Sequence, residues 1–194
     1  MRESYGTFTG GELVSSQHRI RSCSLPEGAL LDAYRLNGMY TDCFTTEVAG
    51  SVSHEQFVTA FYTTSVFKLE RKILEWAVSR PSTDAQAQQM ASGFVDEFSA
   101  WYVEKRGRDQ LLLSDFQGRT RSWLMIEPAQ GNGAATRLYF GSAVVPEIDR
   151  RTGKAALGLS FRALLGFHKV YSVILLRAAR SQLRSSQKIR NSGS

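Results

Sequence analysis

Cysteine is nearly absent. Cys23 and Cys43 are the two in 194 residues, and no CxxC spacing occurs. So few exclude the disulfide framework on which small secreted domains depend. They read as two reduced thiols, buried or half-buried, that pack as small apolar side chains. Long apolar runs are missing as well. The most apolar stretch, 155–179, is interrupted by Arg162, Lys169 and Arg177, so no run reaches the roughly 20 residues that span a bilayer. Residues 1–16 lack the basic stretch followed by an apolar run that marks a secretory signal. The expected address is the cytoplasm.

Chemical motifs are equally scarce. The histidines are His18, His54 and His168, with no His-Glu-x-x-His spacing, which leaves no metal site to expect. No GxSxG occurs and neither cysteine neighbours a histidine, so a nucleophilic triad is not indicated. Gly131-Asn132-Gly133 lacks the following Lys-Ser/Thr of a phosphate loop and reads as a hairpin turn. No cofactor is expected.

Acidic residues are missing from the last quarter. Residues 150–194 hold ten Lys and Arg and no Asp or Glu, leaving 14 basic against 18 acidic residues, a net −4, for 1–149. The overall charge of +6 is thus a property of the C-terminal segment. Such asymmetry points to an anionic partner, or to an acidic surface of the chain on which the segment docks.

What is present is aromatic. Eleven Phe, seven Tyr and three Trp, in a chain 42% hydrophobic and 22% charged, supply a sizeable core. The length suits one domain: an N-terminal arm over 1–28, an α+β domain over 29–184 and a frayed tail over 185–194. Residues 39–48 alternate as a strand. Ser53 and Gln56 form a capping-box pattern that opens a helix carrying Phe57, Phe61 and Tyr62. A second helix follows over 66–79 and ends before Pro81. A third is expected from Ser82 or Thr83 to about Glu104, with Met90, Phe94, Phe98 and Trp101 on one face. Three strands follow, 110–116, 120–127 and 136–145, joined by turn residues as an antiparallel meander. The last element is a helix over 157–183, with Phe161, Leu164, Leu165, His168, Tyr171 and Leu175 on its apolar stripe. The expected architecture is therefore an antiparallel sheet with N-terminal helices and a long C-terminal amphipathic helix packed on it.

Several segments carry a resemblance: Tyr40-Thr41-Asp42-Cys43-Phe44, Ala60-Phe61-Tyr62-Thr63-Thr64, residues 116–125, Tyr139-Phe140-Gly141-Ser142 and residues 164–172. Together they resemble an uncharacterised family of bacterial proteins. The phrase Gly166-Phe167-His168 is similar to a broader bacterial domain family of unknown function. Neither resemblance implies an activity. The element order is similar to the START-like helix-grip fold, which implies an apolar ligand held between sheet and C-terminal helix. The chain departs from that pattern, with three expected strands after the helices where the fold usually has six, and with an added helix.

The candidate site residues follow. His168, on the apolar stripe, is either a satisfied core histidine or an acid, base or hydrogen-bond donor facing a ligand. Arg121 alternates with Arg119 and Trp123 on one strand face, where an arginine pair and an indole can grip an anion and stack a ring, or where the arginines pair with Asp115 at a solvated surface. The leading expectation is a domain binding a small apolar ligand through His168, Tyr171, Arg121 and Trp123. The second is an interaction protein binding an anionic surface, membrane or nucleic acid, through the basic C-terminal helix. The third is an enzyme using His168 as acid or base, with Asp42 or Asp115 as partner.

Overall fold

The computed structural model describes residues 19–78, 81–129, 134–146 and 159–192, without the side chains of 70, 73–78, 159–168 and 191. The chain begins with β1 (Arg21–Ser22), a short helix α1 (Asp32–Leu36) and β2 (Tyr40–Ala49). Three helices follow: α2 (His54–Tyr62), α3 (Ser65–Val78) and α4 (Asp84–Ser92). Five strands come next: β3 (Glu97–Phe98), β4 (Trp101–Arg106), β5 (Gln110–Asp115), β6 (Thr120–Pro128) and β7 (Ala135–Val144). The last element is α5 (Leu159–Ser192). The strands form one antiparallel sheet in the order β1-β2-β7-β6-β5-β4-β3. The fold is α+β, and α5 packs on the sheet as the sequence anticipates.

Period-two alternation divides the sheet into two faces. Phe44, Val48, Leu111, Leu113, Leu124, Leu138 and Phe140 point toward the helices. There Phe61 lies 4.7 Å from Phe140 and 5.1 Å from Tyr62, centroid to centroid. Tyr62 stands edge-on to Phe67 at 4.8 Å and to Phe98 at 5.7 Å. The phenol of Tyr62 hydrogen-bonds Ser122 Oγ at 2.9 Å, which satisfies the polar atoms of both in an otherwise apolar interior.

The opposite face is also buried. Cys43, Leu112, Trp123, Tyr139 and Ala143 are covered by Ala29 and Leu31, with Leu25, Leu30 and Tyr34 packed alongside. Residues 25–36, ending in α1, act as a strap. Gln110 ties it down: its Oε1 accepts from Leu30 N at 2.9 Å and Trp123 Nε1 at 3.0 Å, and its Nε2 donates to Gly28 O at 3.2 Å. Gly141 lets the layers close. A Cβ there would meet Asp42 O at 2.8 Å and both Leu31 and Trp123 at 3.0 Å.

Two local expectations hold closely. Ser53 and Gln56 form a reciprocal capping box at the start of α2, and Thr83 and Gln86 form another at α4. Three differ. The third helix stops at Ser92, where Gly93 turns left-handed (φ 85°) and Phe94 N returns to Gln89 O at 2.9 Å, a glycine C-cap. Phe94 is then 84% exposed, while Phe98 and Trp101 belong to β3 and β4. Five strands therefore follow the helices where three are expected. Finally, α5 continues to Ser192, through residues expected to fray, because Gln187 Nε2 donates to Ala49 O at 2.8 Å and holds the extension against the end of β2. At the other terminus, β1 pairs with β2 within the expected arm, whose residues 1–18 lie outside the described residues.

Candidate functional site

Of the residues singled out by the sequence, the three with described side chains lie on two sides of the sheet. Tyr171 is half-buried on α5 and packs at the rim of the helix-side core. Arg121 and Trp123 lie on the opposite face, under the strap. His168 belongs to α5, but its side chain lies outside the described residues.

Arg121 is fully engaged within the chain. Its Nε donates to Tyr34 Oη at 2.6 Å and lies 2.5 Å from Glu104 Oε2. Its Nη1 donates to Gly118 O and Thr120 O, and the guanidinium lies 4.9 Å from the Tyr34 ring centroid. The Tyr34 phenol also donates to Glu104, and burial first, then that carboxylate, pushes its pKa up. Trp123 is 0% exposed, its indole N–H given to Gln110. These groups hold the strap to the sheet. Beside them Arg137 bridges Glu47 at 2.9 Å and Glu127 at 3.1 Å, and burial, then Glu127, raises Tyr139 to about 12.

The surface of α5 is different. Ser172, Leu175, Leu176, Ala179 and Leu183 are buried, one stripe at helical spacing. Polar anchors flank that stripe. Arg180 Nη1 donates to Thr46 Oγ1 at 3.0 Å on the β2 side, and Gln182 Nε2 donates to Thr63 Oγ1 at 2.8 Å on the α2 side. The remaining face looks outward: Val170, Ile174, Arg177, Ser181, Arg184 and Lys188 are all exposed, at intervals of four, three, four, three and four residues. Such intervals keep side chains on one line of an α-helix. Val170 is 61% and Ile174 44% exposed.

No carboxylate pairs with Lys169, Arg177, Arg184 or Lys188 among the described residues. The described acidic side chains that form pairs are spent on arginines and lysines elsewhere, at Asp32, Asp84, Asp96, Glu104, Glu47 and Glu127. Crowding of like charge registers on Arg180, whose pKa is lowered by burial, then by Arg184 and Arg177. The alternation of charge along the helix was legible in the sequence; which basic groups remain free was not, because Arg180 turns inward to Thr46.

Two recesses accompany these features. One of about 800 Å³ opens between 51–52, 108–110 and the β6–β7 ends. The other, about 650 Å³, lies along the β2 edge between Cys23 and Lys169. Among the described residues no group of acidic, histidine and cysteine side chains is arranged to hold a metal ion, and no helix is long and apolar enough to cross a membrane. No protein-family model matches the chain, and neither a curated protein nor a solved structure does so.

Proposed function

We propose that the protein is an interaction module that docks on an anionic lipid surface through the outward face of α5. The observation that carries this reading is the ridge from Val170 to Lys188, with aliphatic residues at one end, cations that no described carboxylate pairs along the rest, and no Asp or Glu in the helix sequence. The inward face is already committed to the core, so docking requires no unfolding. Basic residues near an anionic membrane contribute about 1 kcal/mol each. Arg177, Arg184 and Lys188 together therefore give about 3 kcal/mol, to which partial insertion of Val170 and Ile174 adds. That sum describes weak, reversible binding.

Lipid is favoured over nucleic acid by what lies between the charges. Single strands are gripped by aromatic platforms interleaved with basic groups. This face offers aliphatic side chains and serine instead. The apolar-ligand reading drew Arg121, Trp123 and Tyr171 to one cavity, and they stand on two sides of the sheet. The reading of His168 as an acid or base concerns a side chain outside the described residues.

The test is co-sedimentation with vesicles of phosphatidylcholine alone or mixed with phosphatidylserine. Binding is expected only to the anionic vesicles and is expected to vanish in the triple variant Arg177→Glu, Arg184→Glu, Lys188→Glu. Arg180 is left intact because it anchors the helix to Thr46. Equal binding of the triple variant and the parent overturns the reading, as does retention on single-stranded nucleic acid with none on vesicles.

A further inference from the structure

The two cysteines, twenty residues apart in sequence, meet in space. Cys23 continues the register of β1 with β2, in which Arg21 faces Thr45 and Ser22 faces Phe44, and its N–H reaches Cys43 O at 3.0 Å. The sulfurs are 3.3 Å apart. Directly opposed residues of antiparallel strands have Cα atoms about 4.5–5.5 Å apart, within the about 4.4–6.8 Å that a disulfide spans. Both cysteines are free thiols here.

Their environments differ in the way thiol–disulfide exchange requires. Cys43 is buried in the strap-side core and Cys23 is half-buried. The recess of about 650 Å³ opens over Cys23 and is lined also by Arg35, Tyr40, Asp42 and Lys169. Sharing the hydrogen bond with Cys43 lowers the Cys23 thiol from its ordinary pKa, while the same bond and burial hold Cys43 up. Cys43 lines the same recess but is only 3% exposed, so a reagent reaches the half-buried, more acidic Cys23 sulfur first.

We propose that Cys23 and Cys43 are a redox-responsive dithiol, closed to an intramolecular disulfide by exchange with a small-molecule disulfide that enters beside Cys23. The Cys23 thiolate attacks one sulfur of the reagent, whose S–S bond breaks and releases one thiolate, which takes up the proton Cys23 gave up. Cys43 then loses its proton and attacks Cys23 Sγ, expelling the second reagent thiolate, which carries that proton away as a thiol. Two protein thiols are oxidised and one external disulfide is reduced to two thiols. The closed loop contains the strap, so the bond pins its N-terminal root to β2 while Gln110 pins its middle.

The experiment treats the reduced full-length chain with excess oxidised glutathione, blocks remaining thiols by alkylation and maps tryptic peptides. The expected product is a single cross-link between peptides 22–35 and 36–68 of the same chain, in protein lighter by two hydrogen atoms. The oxidised form is expected to melt about 5–10 °C higher, since closing a loop of this size constrains the unfolded chain. Cys43→Ser is expected to stop at a glutathione adduct on Cys23. Cys23→Ser is expected to leave Cys43 unmodified until the protein unfolds. Should Cys43→Ser fail to fold, the cross-link and Cys23→Ser still decide the matter. Glutathione adducts that never resolve in the parent chain, cross-links between chains, or thiols unchanged in the folded protein each overturn the proposal. An unchanged melting temperature in cross-linked protein removes the pinning.

Discussion

At the scale of single residues, two positions show how little freedom the interior leaves. Gly141 sits in the middle of β7 with Leu31 and Trp123 over it and the backbone of Asp42 beside it. Glycine in a strand interior otherwise weakens it, so its presence here reflects close approach of the strap. Gly141→Ala drives a methyl group into contacts that a real Cβ does not make, and overpacking of this kind costs about 1–3 kcal/mol. Chemical denaturation is expected to show a lower midpoint with an unchanged slope. His54 is the second. It begins α2 with its Nε2 buried and without a hydrogen-bond partner. Burial lowers its pKa, against the opposing influence of the Leu124 backbone and Asp109, while the Arg106 charge adds to the lowering. The positive end of the helix acts in the same sense as burial. The folded protein therefore prefers neutral imidazole. Its contribution is complete above the unfolded value of about 6.5 and is lost as the pH falls through the lower folded value. Thermal melts of the parent and of His54→Gln are expected to diverge across that window, with the parent losing more stability on acidification. Parallel curves would assign the acid sensitivity elsewhere.

Elements are decided at their ends. The glycine that closes α4 and the serine that turns β3 into β4 both have positive φ, 85° at Gly93 and 57° at Ser99, yet replacement at the two is expected to act in opposite directions. Gly93→Ala places a side chain where L-residues are strained, at about 1–2 kcal/mol, with Arg106 Nε in ordinary contact at 4.0 Å so that no clash adds to this. Ser99→Gly relieves the same strain and also removes a buried Oγ that has no partner. A gain of about 1 kcal/mol is expected. Equilibrium unfolding of the two variants checks both signs. Gly93 also shows why a boundary was misread. Met90, Phe94, Phe98 and Trp101 fit a helical stripe by spacing alone, and that pattern runs straight through Gly93, where the structure places the C-cap. Phe98 and Trp101 are apolar because β3 and β4 face the core, and a short hairpin carries too few residues for alternation to stand out. The caps at Ser53 and Thr83, by contrast, are purely local and were legible without any tertiary information.

At the scale of the molecule, the sheet is buried on both sides: helices on one, the strap on the other. This explains why neither face of β6 reads as a clear core from sequence. Ser122 is inside because Tyr62 satisfies it, and Arg121 lies under the strap because Glu104 and Tyr34 satisfy it. It also leaves the outer ridge of α5 as a cationic surface that no described carboxylate neutralises. If that ridge meets anionic lipid as proposed, its affinity depends on screening. Raising the salt concentration from low to several-fold physiological shortens the Debye length to a few ångströms. Vesicle binding is then expected to fall to what Val170 and Ile174 alone sustain, near zero, in a sedimentation titration. Salt-independent binding would mean that the charges are not the contact.

What the linear chain determines by itself is everything set within a few residues or by period: the capped starts of α2 and α4, the alternation of β2, the turn-bounded strand runs of β5 to β7, the amphipathic last helix, and the concentration of positive charge within it. Tertiary structure alone decides which partners satisfy which polar groups. It brings Cys23 to Cys43, sets Arg121 and Trp123 on the far side of the sheet from Tyr171, and turns Arg180 inward while leaving Arg177, Arg184 and Lys188 outside. The physical reason is range. Periodicity and capping are settled by the chain's own geometry over one or two turns, whereas the pairing of a buried charge or thiol depends on strands and helices that arrive from tens of residues away.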